Sequence, residues 1–303
     1  MPTDTGFFVT SAMVGRIGPS AGDAKIRRVA QWIEVSEAAD PRVDDFRDLA
    51  RADRRPDRPG GRGLVIAEGV VVVERLIDSP YPVRALLGVR RRFEELGPRL
   101  DELDVPAYVV DADVMSRIVG FHLNRGVLAV ADRAPEEELS AVLARVRRVA
   151  VLEGIGDHEN LGALFRNAAA FDVDAVLLGG GCSDPLYRRS VRVSMGHVLR
   201  VPFTTLPSWP GELKSLRDAG FRVMALTPHR NAWPLRAAGL RTQPAAVVLG
   251  SEGPGLSEQA LSASDAAIRI PISPAVDSLN VATAAAITFH EMSDPRADEM
   301  SEH

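Results

Sequence analysis

Three stretches of the 303-residue chain concentrate the polar side chains and the backbone freedom that chemistry requires. The first, EGIGDHENLGALFRNAAAF at 153–171, follows an apolar run and carries Asp157, Asn160, Gly162, Arg166 and Asn167. Asp157 or Asn160 can cap a helix, and Gly162 then stands four residues before Arg166 on one helix face. A glycine at that position lets another backbone or a ligand come close. The second stretch, VVLGSEGPGLS at 247–257, runs from apolar residues into Gly250, Gly253 and Gly255 beside a single acid, Glu252. Such glycines permit positive φ and close approach. Backbone amides can then grip the edge of a flat ligand while Glu252 faces a cationic or hydroxyl group. The third, IRIPISPAVDSLNVATAAAITFHE at 268–291, sets Ser278, Leu279 and Asn280 at the opening of an alanine-rich helix. Ala282, Ala284, Ala285 and Ala286 give that helix a slim surface suited to tight packing. Taken singly, each stretch also reads structurally, as a capped helix with a surface arginine, a sharp turn and a helix opening.

Several familiar chemistries do not fit. Gly154-x-Gly156 after a strand suggests a dinucleotide site, but Glu159 stands where the third glycine belongs, which counts against a nicotinamide dehydrogenase. Leu249 occupies the glycine position of a nucleophile elbow around Ser251, and no Lys-Ser or Lys-Thr pair follows Gly253-Pro254-Gly255 to make a phosphate loop. The lone cysteine, Cys182, excludes a disulfide framework and a cysteine-cluster metal site, and reads as a small half-buried side chain.

Composition is that of an ordinary globular protein, 46% hydrophobic and 25% charged. No eighteen apolar residues run together, so no membrane span is expected. The N-terminus lacks a basic start followed by an apolar core, so a cytoplasmic setting is expected. A net charge of −5 does not by itself advertise a nucleic-acid partner. Arginines nevertheless cluster, as at Arg84 and Arg90–Arg92 and at Arg188, Arg189, Arg192 and Arg200. Planar guanidinium groups bind phosphate bidentately, so these clusters admit RNA or DNA as well as plain solvated faces.

Apolar runs alternating with helical spacing point to an α/β fold. Residues 1–60 read as an N-terminal extension and linker, and 61–133 as a small α/β domain with strands near 83–89, 105–111 and 126–133. Residues 134–148 read as a connector. Residues 149–292 form the clearest unit, with continuous Val/Leu/Ala strands near 149–155, 174–180, 221–227, 245–251 and 266–272. Helices are expected at 160–171, 190–199, 211–219 and 280–292, covering both faces of a parallel sheet. Residues 293–303 make an acidic tail. Ligands of such sheets sit at the carboxyl ends of the strands, and that is where the three unusual stretches begin.

Jointly, NLGALFRNAAAFDVDAVLL (160–178), RVSMGHVLRVPF (192–203), VVLGSEGPGLS (247–257) and IPISPAVDSLNVATAAAI (270–287) resemble the signature of the SpoU, or TrmH-like, RNA ribose 2′-O-methyltransferases of the SPOUT superfamily. The match covers nearly all of 150–290 in order and spacing. The stretch 61–133, with GLVIAEGVVVVERLI and GFHLNRGVLAVAD, resembles the ribosomal-protein-like substrate-binding domain that often precedes this catalytic domain. The resemblance implies a trefoil-knotted methyltransferase domain, a homodimer and an S-adenosylmethionine pocket at Leu249, Gly250, Glu252, Gly253, Ile270, Leu279 and Asn280. It implies Arg166 as the central catalytic residue, with Asn160, Glu252, Ser278 and Asn280 arranging the site, and no metal. A guanidinium stays protonated in proteins, so Arg166 suits phosphate binding and stabilisation of a developing alkoxide rather than general-base work. Glu252 is left either to orient Arg166 or to accept the proton. The implied reaction is methyl transfer to a ribose 2′-hydroxyl of structured RNA, with 23S ribosomal RNA favoured over tRNA. A non-catalytic RNA-binding or ribosome-assembly protein on the same fold is the remaining alternative.

Overall fold

The computed structural model describes residues 30–49 and 63–293. The arginines at 51–62, the acidic tail beyond 293 and residues 1–29 lie outside the described residues. Two sheets organise the rest. The first has five strands in the order β1-β4-β3-β5-β2, and the second has seven in the order β10-β12-β9-β11-β6-β7-β8.

In the first sheet, β1 (Gln31–Glu34), β4 (Pro106–Val109) and β3 (Val83–Gly88) run parallel. β5 (Val127–Ala131) pairs antiparallel with both β3 and β2 (Val65–Glu68). α1 (Val70–Ile77), α2 (Arg90–Leu96) and α3 (Ala112–Val119) cover its faces. β1 lies inside the stretch read from sequence as an extension and linker. Its short QWIE alternation carries too little apolar periodicity to mark a strand, and only pairing with β4 orders it. Val43 and Phe46, in the 3-10 turn that follows, are fully buried against the same sheet.

Every pairing in the second sheet is parallel. The central strands are β6 (Arg148–Glu153), β7 (Ala175–Leu178), β9 (Arg222–Leu226) and β11 (Ala245–Gly250). β8 (Phe203–Thr205), β10 (Trp233–Pro234) and β12 (Ala266–Arg269) extend the sheet on its two sides. Ala150 and Leu152 of β6 enter one core while Val149 and Val151 enter another, so alternate residues are apolar on both faces. α4 (Leu139–Leu143) precedes the sheet, and α7 (Leu213–Asp218) and α8 (Glu258–Ala263) join its outer layers.

Three helices frame the unusual stretches: α5 (His158–Ala170), α6 (Arg188–Val193) and α9 (Val281–Met292). Asp157 caps α5 by accepting from the Glu159 and Asn160 amides at 2.9 and 2.8 Å. The single helix expected at 190–199 is instead α6 followed by a 3-10 turn, His197–Leu199. Met195 at φ 55° and Gly196 at φ 84° adopt left-handed backbone between the two and end the helix.

One apolar core runs without a break from β2 and α1 of the first sheet into α5 and β6 of the second. Polar links reinforce the junction. Glu68 of β2 is 7% exposed and accepts from Arg188 Nη1 at 3.1 Å, while that guanidinium lies 4.7 Å over the Phe121 ring. Burial lowers the pKa of Arg188, and Glu68 opposes the shift. Arg133 pairs with Asp184 across the same junction.

A Cβ on Gly162 would meet the Ser190 carbonyl oxygen at 2.8 Å and Val193 Cβ at 2.9 Å, so α5 and α6 touch at backbone distance there. Alanine would gain about 1 kcal/mol in helix propensity, against about 1–3 kcal/mol for overpacking. The backbone contact sets the balance towards overpacking. Gly162→Ala is therefore expected to lower the thermal unfolding midpoint followed by circular dichroism; an unchanged or raised midpoint would contradict this packing.

Candidate active site

The carboxyl ends of β9, β11 and β12 open onto one pocket, closed from above by the first turn of α9. Its empty volume is about 710 Å³ with the open mouth included. Leu249, Ile270 and Leu279 supply apolar walls, while Gly250, Glu252, Gly253 and Ser278 line the loop side and mouth. Seven residues expected from sequence thus meet here from positions 249–253, 270 and 278–279.

The loop after β11 has its shape for local reasons. A Cβ on Gly250 would lie 2.4 Å from the Gly255 carbonyl carbon and 2.5 Å from the Leu256 nitrogen, so the chain folds back onto itself without room for a side chain. Gly253 at φ 87° and Gly255 at φ 71° make the reversal, and the Gly255 amide donates to the Ser251 carbonyl at 3.1 Å. No neighbour stands within 4 Å of where a Cβ would sit on either glycine, so open space remains beside this backbone. Glu153, directly across from Gly250 at the end of β6, closes the loop from below. Its carboxylate accepts from the Ser257 amide at 2.9 Å, the Ser257 hydroxyl at 2.7 Å and Trp209 Nε1 at 2.5 Å.

Asn280 joins the three stretches. Its Oδ1 accepts from the Ala282 and Thr283 amides at 3.0 and 3.2 Å, capping α9. Nδ2 must then donate, and it donates to Asn160 Oδ1 at 2.9 Å and to Glu252 Oε1. The backbone cap decides which way the amide faces, and Asn160 consequently presents its own NH₂ away from Asn280. A second tie, Asn167 Nδ2 to the Ala282 carbonyl at 2.7 Å, binds α5 to α9.

Arg166 is not part of this hydrogen-bonded set. It stands exposed on α5, one turn beyond Gly162, and Glu252 engages Asn280. Of the two roles left open for Glu252, orienting Arg166 is therefore not the contact seen. The surroundings of Arg166 are cationic: its charge, with those of Arg75 and Arg200, adds to burial in lowering the pKa of His197. Ser278 lines the pocket apart from the Asn160–Asn280–Glu252 set.

Sequence reading missed Thr227 and Pro228, which line the pocket from the end of β9, and Glu153, which props the loop from β6. The carboxyl-end rule for parallel strands applies to all three, so their position at strand ends was the available signal. Among the described residues no group of three or more His, Cys, Asp or Glu side chains converges as a metal site, and no helix is long and apolar enough to cross a membrane.

The family model of the SpoU rRNA methylase family matches residues 147–290. A Mycobacterium tuberculosis protein described as an uncharacterized tRNA/rRNA methyltransferase is 55% identical over 260 residues, covering 85% of this chain and 90% of that protein. The 23S rRNA (guanosine(2553)-2′-O)-methyltransferase of Bacillus subtilis is 28% identical over 261 residues, covering 86% and 98%. Among solved structures, an AdoMet-bound rRNA methyltransferase from Sinorhizobium meliloti aligns with a TM-score of 0.73 at 25% identity, covering 86% of this chain and 97% of that one. The parallel sheet with its strand-end pocket and the extent of these matches lead to one conclusion: the chain belongs to the SpoU, or TrmH-like, family of RNA methyltransferases.

Proposed function

We propose that the protein methylates a ribose 2′-hydroxyl of structured RNA, with S-adenosylmethionine as donor and large-subunit ribosomal RNA as the favoured substrate. The observation that carries this reading is the joining of Asn160, Glu252 and Asn280 by one amide at the mouth of a glycine-walled pocket. Leu249, Ile270 and Leu279 offer apolar surface for a flat adenine, and the bare backbone at Gly250 and Gly253 offers amides and carbonyls to its edge. When bound, the sulfonium donor supplies a methyl group already activated for transfer. The protein's part is then chiefly positioning. Glu252 and Asn160 are held at the mouth by Asn280, where they can hold a ribose hydroxyl, and the free Glu252 oxygen is placed to take its proton. Arg166, exposed on α5 six residues after Asn160, is given the role of holding RNA phosphate and offsetting the charge growing on the ribose oxygen.

The ribosomal RNA preference is supported by the 28% identity to the Bacillus subtilis enzyme along nearly its whole length. It also follows from reading the first sheet as an RNA-binding unit, with 61–133 the substrate-binding domain and 149–292 the transfer domain. The expected compartment is the cytoplasm. A trefoil is supported by the return of α9 onto α5 and β11 after β12 has paired on the far side of β9. Two copies are expected to pair, as the family resemblance implies, and sedimentation would read a mass near twice 32.6 kDa.

Arg166→Ala is expected to reduce methyl transfer to RNA by at least 100-fold, with donor affinity by calorimetry kept within a few-fold. Normal turnover in that variant would overturn the role given to Arg166. Asn280→Asp retains a helix-capping oxygen, but it replaces two donors by a carboxylate facing Glu252. Its unfolding midpoint should stay near that of the parent while transfer falls by roughly 100-fold or more. A variant with parent-like transfer would show that the amide does not organise the site.

A further inference from the structure

Arg75 belongs to α1 of the first sheet, yet its side chain reaches the turn after α6 in the transfer unit. Its Nη1 donates to the Met195 carbonyl, which the left-handed residues Met195 and Gly196 turn towards it. A Cβ on Gly196 would fall 3.4 Å from both Cβ and Cδ of Arg75 and 3.1 Å from Val72 Cγ1, so the glycine makes room for the crossing. His197 opens the 3-10 turn that follows and Arg200 ends it, and α5, which carries Arg166, packs against that turn. Arg75 and His197 are half-buried, and Arg166 and Arg200 are exposed.

This cluster lacks the neutralisation found elsewhere. Arg84, Arg90, Arg99, Arg188 and Arg189 each pair with a carboxylate. Among the described residues, no carboxylate forms an ion pair with Arg75, Arg166 or Arg200. Burial lowers the pKa of the Arg75 guanidinium, and repulsion from Arg200 and Arg166 adds to it, with Glu74 alone opposing. Three like charges gathered at a turn of two docked units are unfavourable in isolation and favourable around an anion.

We propose that Arg75, Arg166 and Arg200, grouped about the His197 turn, bind one phosphodiester of the RNA substrate. Both the first sheet and the transfer unit thereby grip the same strand beside the reacting ribose. The proposal rests on the RNA methyltransferase reading above and extends it by assigning a residue of the front unit to the transfer site. One Arg75 N–H is spent on Met195, which fixes the guanidinium, and the remaining donors are available to phosphate oxygens.

The test titrates the full chain with an unmethylated large-subunit rRNA transcript across a range of salt concentrations. Arg75→Gln and Arg200→Gln should each weaken RNA binding by roughly five- to tenfold and reduce the log–log salt slope by about 0.7–0.9. Affinity for S-adenosylmethionine should stay within about twofold, because neither residue lines the pocket. Arg99→Gln, which removes a paired arginine of the front unit, should leave RNA affinity as it was. Parent-like RNA affinity and salt slope in both test variants, with the parent still methylating RNA, would overturn the phosphate site alone. A parent protein that neither binds nor methylates RNA would overturn the functional reading and this site with it. Saturable, Arg75-dependent binding of inorganic phosphate that leaves RNA affinity undiminished would assign the cluster to free phosphate and so also overturn it. Arg200 is exposed, so Arg200→Gln carries the test should Arg75→Gln fail to fold.

Discussion

One side-chain amide holds the site together. Asn280 has two N–H groups and an oxygen with two lone pairs, and all four are engaged, by two backbone amides of α9, by Asn160 and by Glu252. The groups it joins lie 120 and 28 residues away in sequence. Because the cap dictates the orientation of the amide, the polar face of the site is ordered by the same hydrogen bonds that begin the helix. The start of α9 is thus both a structural end and the point from which the chemistry is arranged.

The loop beneath it takes its shape for a different reason. At Gly250 the chain meets its own continuation at a distance that excludes a methyl group, and Glu153 secures the far end through Ser257. Steric closeness and a half-buried carboxylate anchor therefore act on the two ends of one six-residue reversal. A pocket wall made of backbone results, with polar edges exposed where side chains would otherwise cover them.

The two sheets are bound by one continuous core, an ion pair with its acid nearly buried, and Arg75 on a backbone carbonyl. α6 and the turn after it serve as the joint. They pack on α5 through Gly162 and receive Glu68 and Arg75 from the first sheet.

Much of this was legible in the residues themselves. The strands β6, β7, β9, β11 and β12 follow from continuous apolar runs, and the caps at Asp157 and Asn280 follow from residue type. The closeness of α5 and α6 at Gly162, and of the loop at Gly250, was signalled by glycines where a Cβ had no place. Short strands such as β1, β8 and β10 were not legible, since they hold too few residues to show a period and form only against partners already in place. Nor could linear order show that Glu252 meets Asn280 rather than Arg166, or that Arg75 reaches the Met195 carbonyl of the other unit. Local pattern determines which residues can form an element or a cap, because those forces act within a few positions. Which charges and amides face one another depends on how distant elements pack, and that was decided only by the tertiary structure.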